Sequence, residues 1–346
     1  MKELTTHVKS GNNLGVGQVE AAAAALLEEG GDVATRVEFL KALAEKGETP
    51  EEIAAFVEAF LDHAVVPPLD AGATGLPLLD VCGTGGDKLH LFNVSTTSMF
   101  VVAAGGVGVV KHGNRGITSK SGGADVLEAL GVRIDLPPAG FAECIKRCGL
   151  GFMLAPQYHP AFKAVVPVRK VLAEEGCRTV FNLIGPLLNP VRPARQLLGV
   201  FSPDLVPAFA QILGKLGREC AWAVSGAVGD GRAMDELSTL APTAVAKIGG
   251  GPVTEEQIDP FVLGFAAPDL EDLRGGGASE NARILEAVLD GDDRGAKRDI
   301  TVLNAGAGLV VAGVASSLEE GVAKAGELID SGAASEKLRA LRAFSA

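Results

Sequence analysis

From Leu76 onward the chain repeats one habit: short apolar runs alternate with helix-forming stretches or loops. LPLLDVCG at 76–83, VGVVK at 107–111, GLGFMLA at 149–155, QLLGVFS at 196–202, CAWAVSG at 220–226 and TAVAKIG at 243–249 are such runs. Runs this short and apolar suit strands buried on both faces, and strands separated by helices pair in parallel. The pattern predicts an α/β fold with a central, mostly parallel sheet flanked by helices. The uncharged stretch ITVLNAGAGLVVAGVASS at 300–317 carries Asn, Gly and Ser, and reads as a buried strand followed by a helix rather than a membrane span.

The segment before Leu76 has a different character. QVEAAAAALLEEG at 18–30 is rich in helix formers and ends at a glycine pair. In DVATRVEFLKALAEKG, Asp32 suits an N-cap and Val33, Val37, Leu40 and Ala44 form an apolar stripe. TPEEIAAFVEAFLDHAV follows, with Thr49 as cap, Pro50 at the first helical position and Glu52 completing a capping box. A small all-helical unit is expected here, with PPLDAGATG at 67–75 leading out of it.

Apolar residues make up 47% of the chain and charged ones 21%, enough for a sizeable core and too few charges for disorder. The net charge of −12 disfavours nucleic acid and anionic membranes as partners, so any phosphate site must be local. The N-terminal residues lack an apolar h-region, and the five cysteines (Cys82, Cys144, Cys148, Cys177, Cys220) form no C-x-x-C pair. Reduced thiols and a cytoplasmic location are the expectation.

Three polar clusters follow strands or open helices. Gly83-Thr84-Gly85-Gly86-Asp87 comes directly after a strand, where glycine amides can turn into an anion-binding nest. Asn93-Val94-Ser95-Thr96-Thr97 brings hydroxyls and amides to a helix N-terminus. Lys111, His112, Gly113, Asn114 and Arg115 follow a third apolar run, and SKSGGADVLEALG at 119–131 makes another hydroxyl–glycine approach into a helix. Together they suggest a ligand with more than one phosphate. Asp235-Glu236 suits Mg2+, although most such pairs by themselves are solvated surface. Arg169 could clamp a carboxylate or be an ordinary helix arginine, and His159 could be a loop or cap residue.

Taken in order, GTGGD, FNVST, KHGNR, SKSGGADVLEALG, RTVFNLIGPLLNP and MDELS resemble the anthranilate phosphoribosyltransferase family over nearly the whole chain. The resemblance implies a helical domain (1–72, with a returning segment at about 162–190) hinged to an α/β domain (73–161 and 191–346) of the nucleoside phosphorylase/phosphoribosyltransferase type. It implies a homodimer that takes phosphoribosyl pyrophosphate (PRPP), anthranilate and two Mg2+ ions, in the second step of tryptophan biosynthesis from chorismate. PRPP would lie on Gly83, Gly86, Asp87, Leu91, Asn93, Val94, Ser95, Thr96, Lys111, His112, Gly113, Asn114, Arg115, Ser119 and Gly123. Anthranilate would meet Gly83, His112, Asn114, Pro156, His159 and Arg169. Ser95 would touch one metal ion, Asp235 and Glu236 the other, and no residue is an obligate acid or base.

The sequence departs from the family's usual pattern at Lys88 (usually Gly), Leu91 (usually Thr), Gly116 (usually Ser) and Gly123 (often Ser). Lys88 could supply compensating charge for PRPP. Two other readings stay open: a pyrimidine-nucleoside phosphorylase of the same architecture, and a non-catalytic relative that binds nucleic acid.

Overall fold

A computed structural model describes residues 1–116 and 120–345; Ser119, one of the expected phosphate contacts, lies outside the described residues. Four helices come first: α1 (Lys2–Lys9), α2 (Val16–Leu27), α3 (Val33–Lys46) and α4 (Pro50–Leu61). Asp32 caps α3 by accepting from the Thr35 amide, and Thr49 and Glu52 form the expected capping box on α4. Glu52 also accepts from Leu14 N and Lys46 Nζ, each at 2.8 Å, so one buried carboxylate ties three segments together. The buried face of α3 runs through Val37, Phe39, Leu40, Ala42 and Leu43, while Val33 and Ala44 are only half-buried.

A single turn, α5 (Ala71–Thr74), leads into the α/β part. Its first elements are β1 (Leu78–Gly83), α6 (Val94–Ala104), β2 (Gly108–Gly113), α7 (Gly123–Ala129), α8 (Pro138–Cys148) and β3 (Leu150–Leu154). The turn α9 (Ala155–Tyr158) and helix α10 (Val166–Glu174) precede β4 (Arg195–Gly199), α11 (Val206–Lys215), β5 (Cys220–Ala227), β6 (Ala233–Met234), β7 (Thr243–Gly249) and β8 (Thr254–Ile258). Helices α12 (Ala278–Leu289), α13 (Ala296–Val311), α14 (Leu318–Asp330) and α15 (Ala333–Ser345) complete the chain.

The sheet is mixed, in the order β3-β2-β1-β4-β5-β7-β8, with β6 paired to β5. Strands β3 to β5 along this path are parallel, whereas β7 and β8 are antiparallel. The strand–helix alternation predicted from the sequence therefore stops after β5, because loops and the short strand β6, rather than a helix, join β5 to β7. Successive strands β1, β2 and β3 build outward on one side, and β4 returns to the other side of β1. Such a reversal opens a crevice at the carboxyl ends of β1 and β4, where open α/β sheets bind ligands.

One face of the sheet, with Leu79, Val81 and Val109, packs on α6, α13 and α15. Leu198, Ala221 and Ala246 on the other face share a core with α11 and the helical residues Phe39, Phe56 and Phe60. Val165, Val168 and Phe181, from the stretch around α10, are buried in that same core.

The stretch 300–317 is not a strand followed by a helix. Residues up to Val311 belong to α13, almost wholly buried between the sheet, α6 and α14. A helix buried on all sides shows no amphipathic period, so its apolar run imitates a strand. Gly306 allows the contact with α14: a Cβ there would lie 2.7 Å from the Val322 amide nitrogen.

Candidate active site

The glycine turn, the start of α6, the end of β2 and the acidic pair converge on the crevice. Gly85 and Gly86 take φ of 67° and 87°, left-handed values that glycine adopts without cost. The Gly85 amide donates to Asp235 Oδ2 at 2.6 Å, and the Ser95 amide, in the first turn of α6, donates to Glu236 Oε1 at 3.1 Å. Gly83, Gly199 and Gly226 make room for the acidic turn. A Cβ on Gly83 would overlap the Asp235 carboxylate, one on Gly199 the Asp235 carbonyl, and one on Gly226 the main chain of Glu236 and Ser238.

Lys111 is the buried cation of the site. Its Nζ donates to Val81 O at 2.5 Å and to Ser95 Oγ at 3.2 Å, linking β2 to β1 and α6. Gly123, at the start of α7, stands close to the same group: a Cβ there would lie 3.0 Å from Thr96 Oγ1 and 3.9 Å from Lys111 Cε. The Asn93 side chain donates to Ser121 O at 3.2 Å and accepts from Asn281 Nδ2 at 2.8 Å, which fixes its amide orientation. Asp87 accepts from Leu89 N at 3.1 Å.

Burial pushes Asp235 up to about 7 and Glu236 up to about 8, with repulsion from Asp87 and Asp235 respectively adding to the effect. Carboxylates crowded in this way favour a cation between them. Among the described residues no three His, Cys, Asp or Glu side chains form a ready-made metal cage. Two carboxylates beside a hydroxyl, all hard oxygen donors, fit Mg2+, which completes its shell with water and substrate phosphate.

Other expected residues sit differently. Arg115 is engaged with Glu128 at 2.7 and 3.0 Å and with Asp125 at 3.2 Å. Asp125 also accepts from the amides of Gly116 (2.8 Å) and Gly122 (2.9 Å), closing the two sides of that loop on one carboxylate. Val94 is buried among Leu89, Phe92 and Met234, and its N–H is already bonded to Phe92 O, so it supports the site from beneath. Leu91 pairs with Arg274 in an isolated antiparallel bridge.

A row of rings leads away from β2. His112 meets His159 edge to face (centroids 5.1 Å apart), His159 meets Phe162 (5.4 Å), and Phe162 meets Phe181 (6.0 Å). Arg169 is an exposed residue, but its guanidinium lies 5.9 Å from the centre of the Phe181 ring, where burial lowers its pKa. Both histidines are buried; burial lowers His112 to about 3, with the charges of His159 and Lys111 adding to it, and burial also lowers His159. His159 Nε2 lies 2.8 Å from Leu188 O. Pro156 and Asn114 are exposed near the ends of β3 and β2.

A profile of the glycosyl transferase family, a/b domain, matches residues 75–335. The anthranilate phosphoribosyltransferase of Haloferax volcanii is 45% identical over 342 residues, covering 99% of each chain. The chain belongs to the anthranilate phosphoribosyltransferase family. That of Rubrobacter xylanophilus is 44% identical over 99% of this chain and 96% of its own. The crystal structure from Thermus thermophilus superposes with a TM-score of 0.88 at 39% identity, covering 99% of this chain and 98% of that one. The Saccharomyces cerevisiae enzyme in complex with PRPP and Mg has a TM-score of 0.86 at 30% identity, with the same coverage. This family membership removes the ground from the phosphorylase and nucleic-acid readings. Among the described residues no helix is long and apolar enough to cross a membrane.

Three supports of the site had no role assigned from the sequence. Thr84 Oγ1 accepts from Phe201 N at 3.1 Å and so ties the glycine turn to the end of β4. Asn281 holds Asn93, and Asn304 holds the residue after Glu236. The available signal was a polar amide inside an otherwise apolar or helix-forming run, as Asn304 is in 300–311.

Proposed function

We propose that the protein transfers the phosphoribosyl group of PRPP to the amine of anthranilate, giving N-(5-phosphoribosyl)anthranilate and pyrophosphate in tryptophan biosynthesis. The observation that carries this reading is the meeting of the GTGGD turn and the start of α6 with the Asp235-Glu236 turn at the carboxyl ends of β1 and β4. Amide groups, a buried lysine and a carboxylate pair together suit a diphosphate that arrives with Mg2+.

In the reaction the C1–O bond to pyrophosphate breaks, the C1–N bond forms, and the amine gives up a proton. Ser95, Asp235 and Glu236 would hold Mg2+, two ions in this reading, which when bound neutralises charge on pyrophosphate. The α6 N-terminus, through its dipole, and Lys111 would stabilise the departing anion with charge already in place. Asn93, held from both sides, would orient the sugar. The aromatic amine is a competent nucleophile, so the site needs positioning more than a general base.

Anthranilate would approach along the row from His112 to Arg169, with neutral histidine edges against its ring and the guanidinium for its carboxylate. The helical domain (1–72 with 162–190) would close over the α/β domain (73–161 and 191–346) and exclude water. A homodimer formed through the helical part goes with this reading.

The test is loss of anthranilate fluorescence on addition of PRPP, with and without Mg2+. Consumption that requires both is expected. No consumption, with phosphorolysis of thymidine or uridine instead, would overturn the reading.

A further inference from the structure

The acidic turn lies outside the strand ladders: β6 ends at Met234, one residue before Asp235. The next residue beyond the carboxylate pair, Leu237, is nevertheless held on both of its main-chain groups by one side chain. Asn304 Oδ1 accepts from Leu237 N at 2.9 Å, and Asn304 Nδ2 donates to Leu237 O at 2.9 Å. Nδ2 also donates to Ile300 O at 2.9 Å, within α13. A primary amide presents a donor and an acceptor side by side, as the edge of a strand does, so Asn304 takes the place of a missing ladder neighbour.

The surroundings make this an expensive position for an amide. Asn304 is 2% exposed, and Leu303, Ala305, Ala307 and Leu309 around it are fully buried. An apolar residue would suit α13 alone, but it would leave Leu237 N–H and C=O unpaired in the interior. The burial of a polar group here makes sense through what it holds in place.

We propose that Asn304 is a positioning residue for the divalent-cation site. By locking Leu237 it sets where Asp235 and Glu236 present their carboxylates. Helix α13, on the far side of the sheet from the helical domain, thereby becomes part of the support of the reaction centre. This inference rests on the transferase reading above.

Asn304→Asp keeps the shape and the acceptor, loses the donor and sets a carboxylate against Leu237 O. Mn2+ binding to the enzyme with PRPP, followed by electron paramagnetic resonance, is the direct readout. The Mn2+ dissociation constant is expected to rise about tenfold or more, as for other groups that orient metal ligands, while KM for anthranilate stays within about twofold. Ser98→Ala, which removes a 3.4 Å hydrogen bond to Thr301 O on the same helix, controls for loosening of α13 and should leave both constants unchanged. Unchanged Mn2+ affinity in folded Asn304→Asp, or an equal loss in Ser98→Ala, would overturn the proposal. If Asn304→Asp does not fold, Asn304→Ser is read in its place. Failure of both to fold would also overturn it, since the amide would then serve the fold itself. Absence of Mn2+ binding by the unaltered enzyme with PRPP would sink the transferase reading as well, whereas binding that the variants leave untouched sinks the inference alone.

Discussion

The Gly85 amide donates to the Asp235 carboxylate at 2.6 Å although 150 positions separate the two residues in the chain. This bond joins the glycine turn to the acidic turn across the crevice between β1 and β4. Replacing Asp235 by Asn and Glu236 by Gln together keeps the turn's shape and removes its charge. Turnover should fall by about 100-fold or more, with KM for anthranilate nearly unchanged, in steady-state assays over a Mg2+ series. Wild-type turnover in that double variant would remove both carboxylates from the mechanism.

Lys88 and His90 both have left-handed backbone, with φ of 58° and 56°. The family's usual glycine at position 88 suits this geometry, and lysine bears a steric cost there. Lys88→Gly trades a strain of about 1 kcal/mol against the larger chain entropy of glycine, for a net gain of roughly 0.5 kcal/mol in urea melts. KM for PRPP should nonetheless rise about threefold or more if the ammonium helps to hold phosphate. An unchanged KM would mean that Lys88 has no part in binding.

His112 is buried neutral, its pKa lowered to about 3 by burial, with His159 and Lys111 contributing. The unfolded state binds a proton near pH 6.5 that the folded state refuses until about pH 3. The folded protein therefore loses stability as pH falls through 6.5 and recovers it above. Between pH 6.5 and 5 the loss from this group is about 2 kcal/mol. Urea denaturation of wild type and His112→Gln across that interval should diverge, the variant having the flatter profile. Parallel profiles would show that His112 does not set this dependence.

Arg169 stands at the end of the aromatic row, with its guanidinium over the Phe181 ring. Arg169→Ala should raise KM for anthranilate about tenfold and change kcat little, because the lost contact is to a part of the substrate that does not react. Arg169→Lys should recover part of the loss. A fall in kcat with constant KM would place Arg169 elsewhere in the mechanism.

Much of this was legible in the sequence where a local rule and a global one agree. Thr49, Pro50 and Glu52 announced α4, and the apolar run ending at Gly83 announced β1. The acidic pair was visible as a pair, but its relation to Gly85 and Ser95 depends on β4 returning beside β1, which no short window records. Strand β8, TEEQI, escaped notice because an exposed edge strand carries polar residues and lacks the apolar signature. Helix α13 was misread because burial on every side erases the period that distinguishes helix from strand. Arg115 shows another limit: its ion pairs with Asp125 and Glu128 depend on a folded approach that no short window records.

Gly199 and Gly226 leave the acidic turn lying directly on peptide planes. The seat of the acidic turn is thus set by bond lengths and strand spacing, while the Asn304 side chain anchors it from α13. A single methyl group on either glycine would lift the turn off that seat.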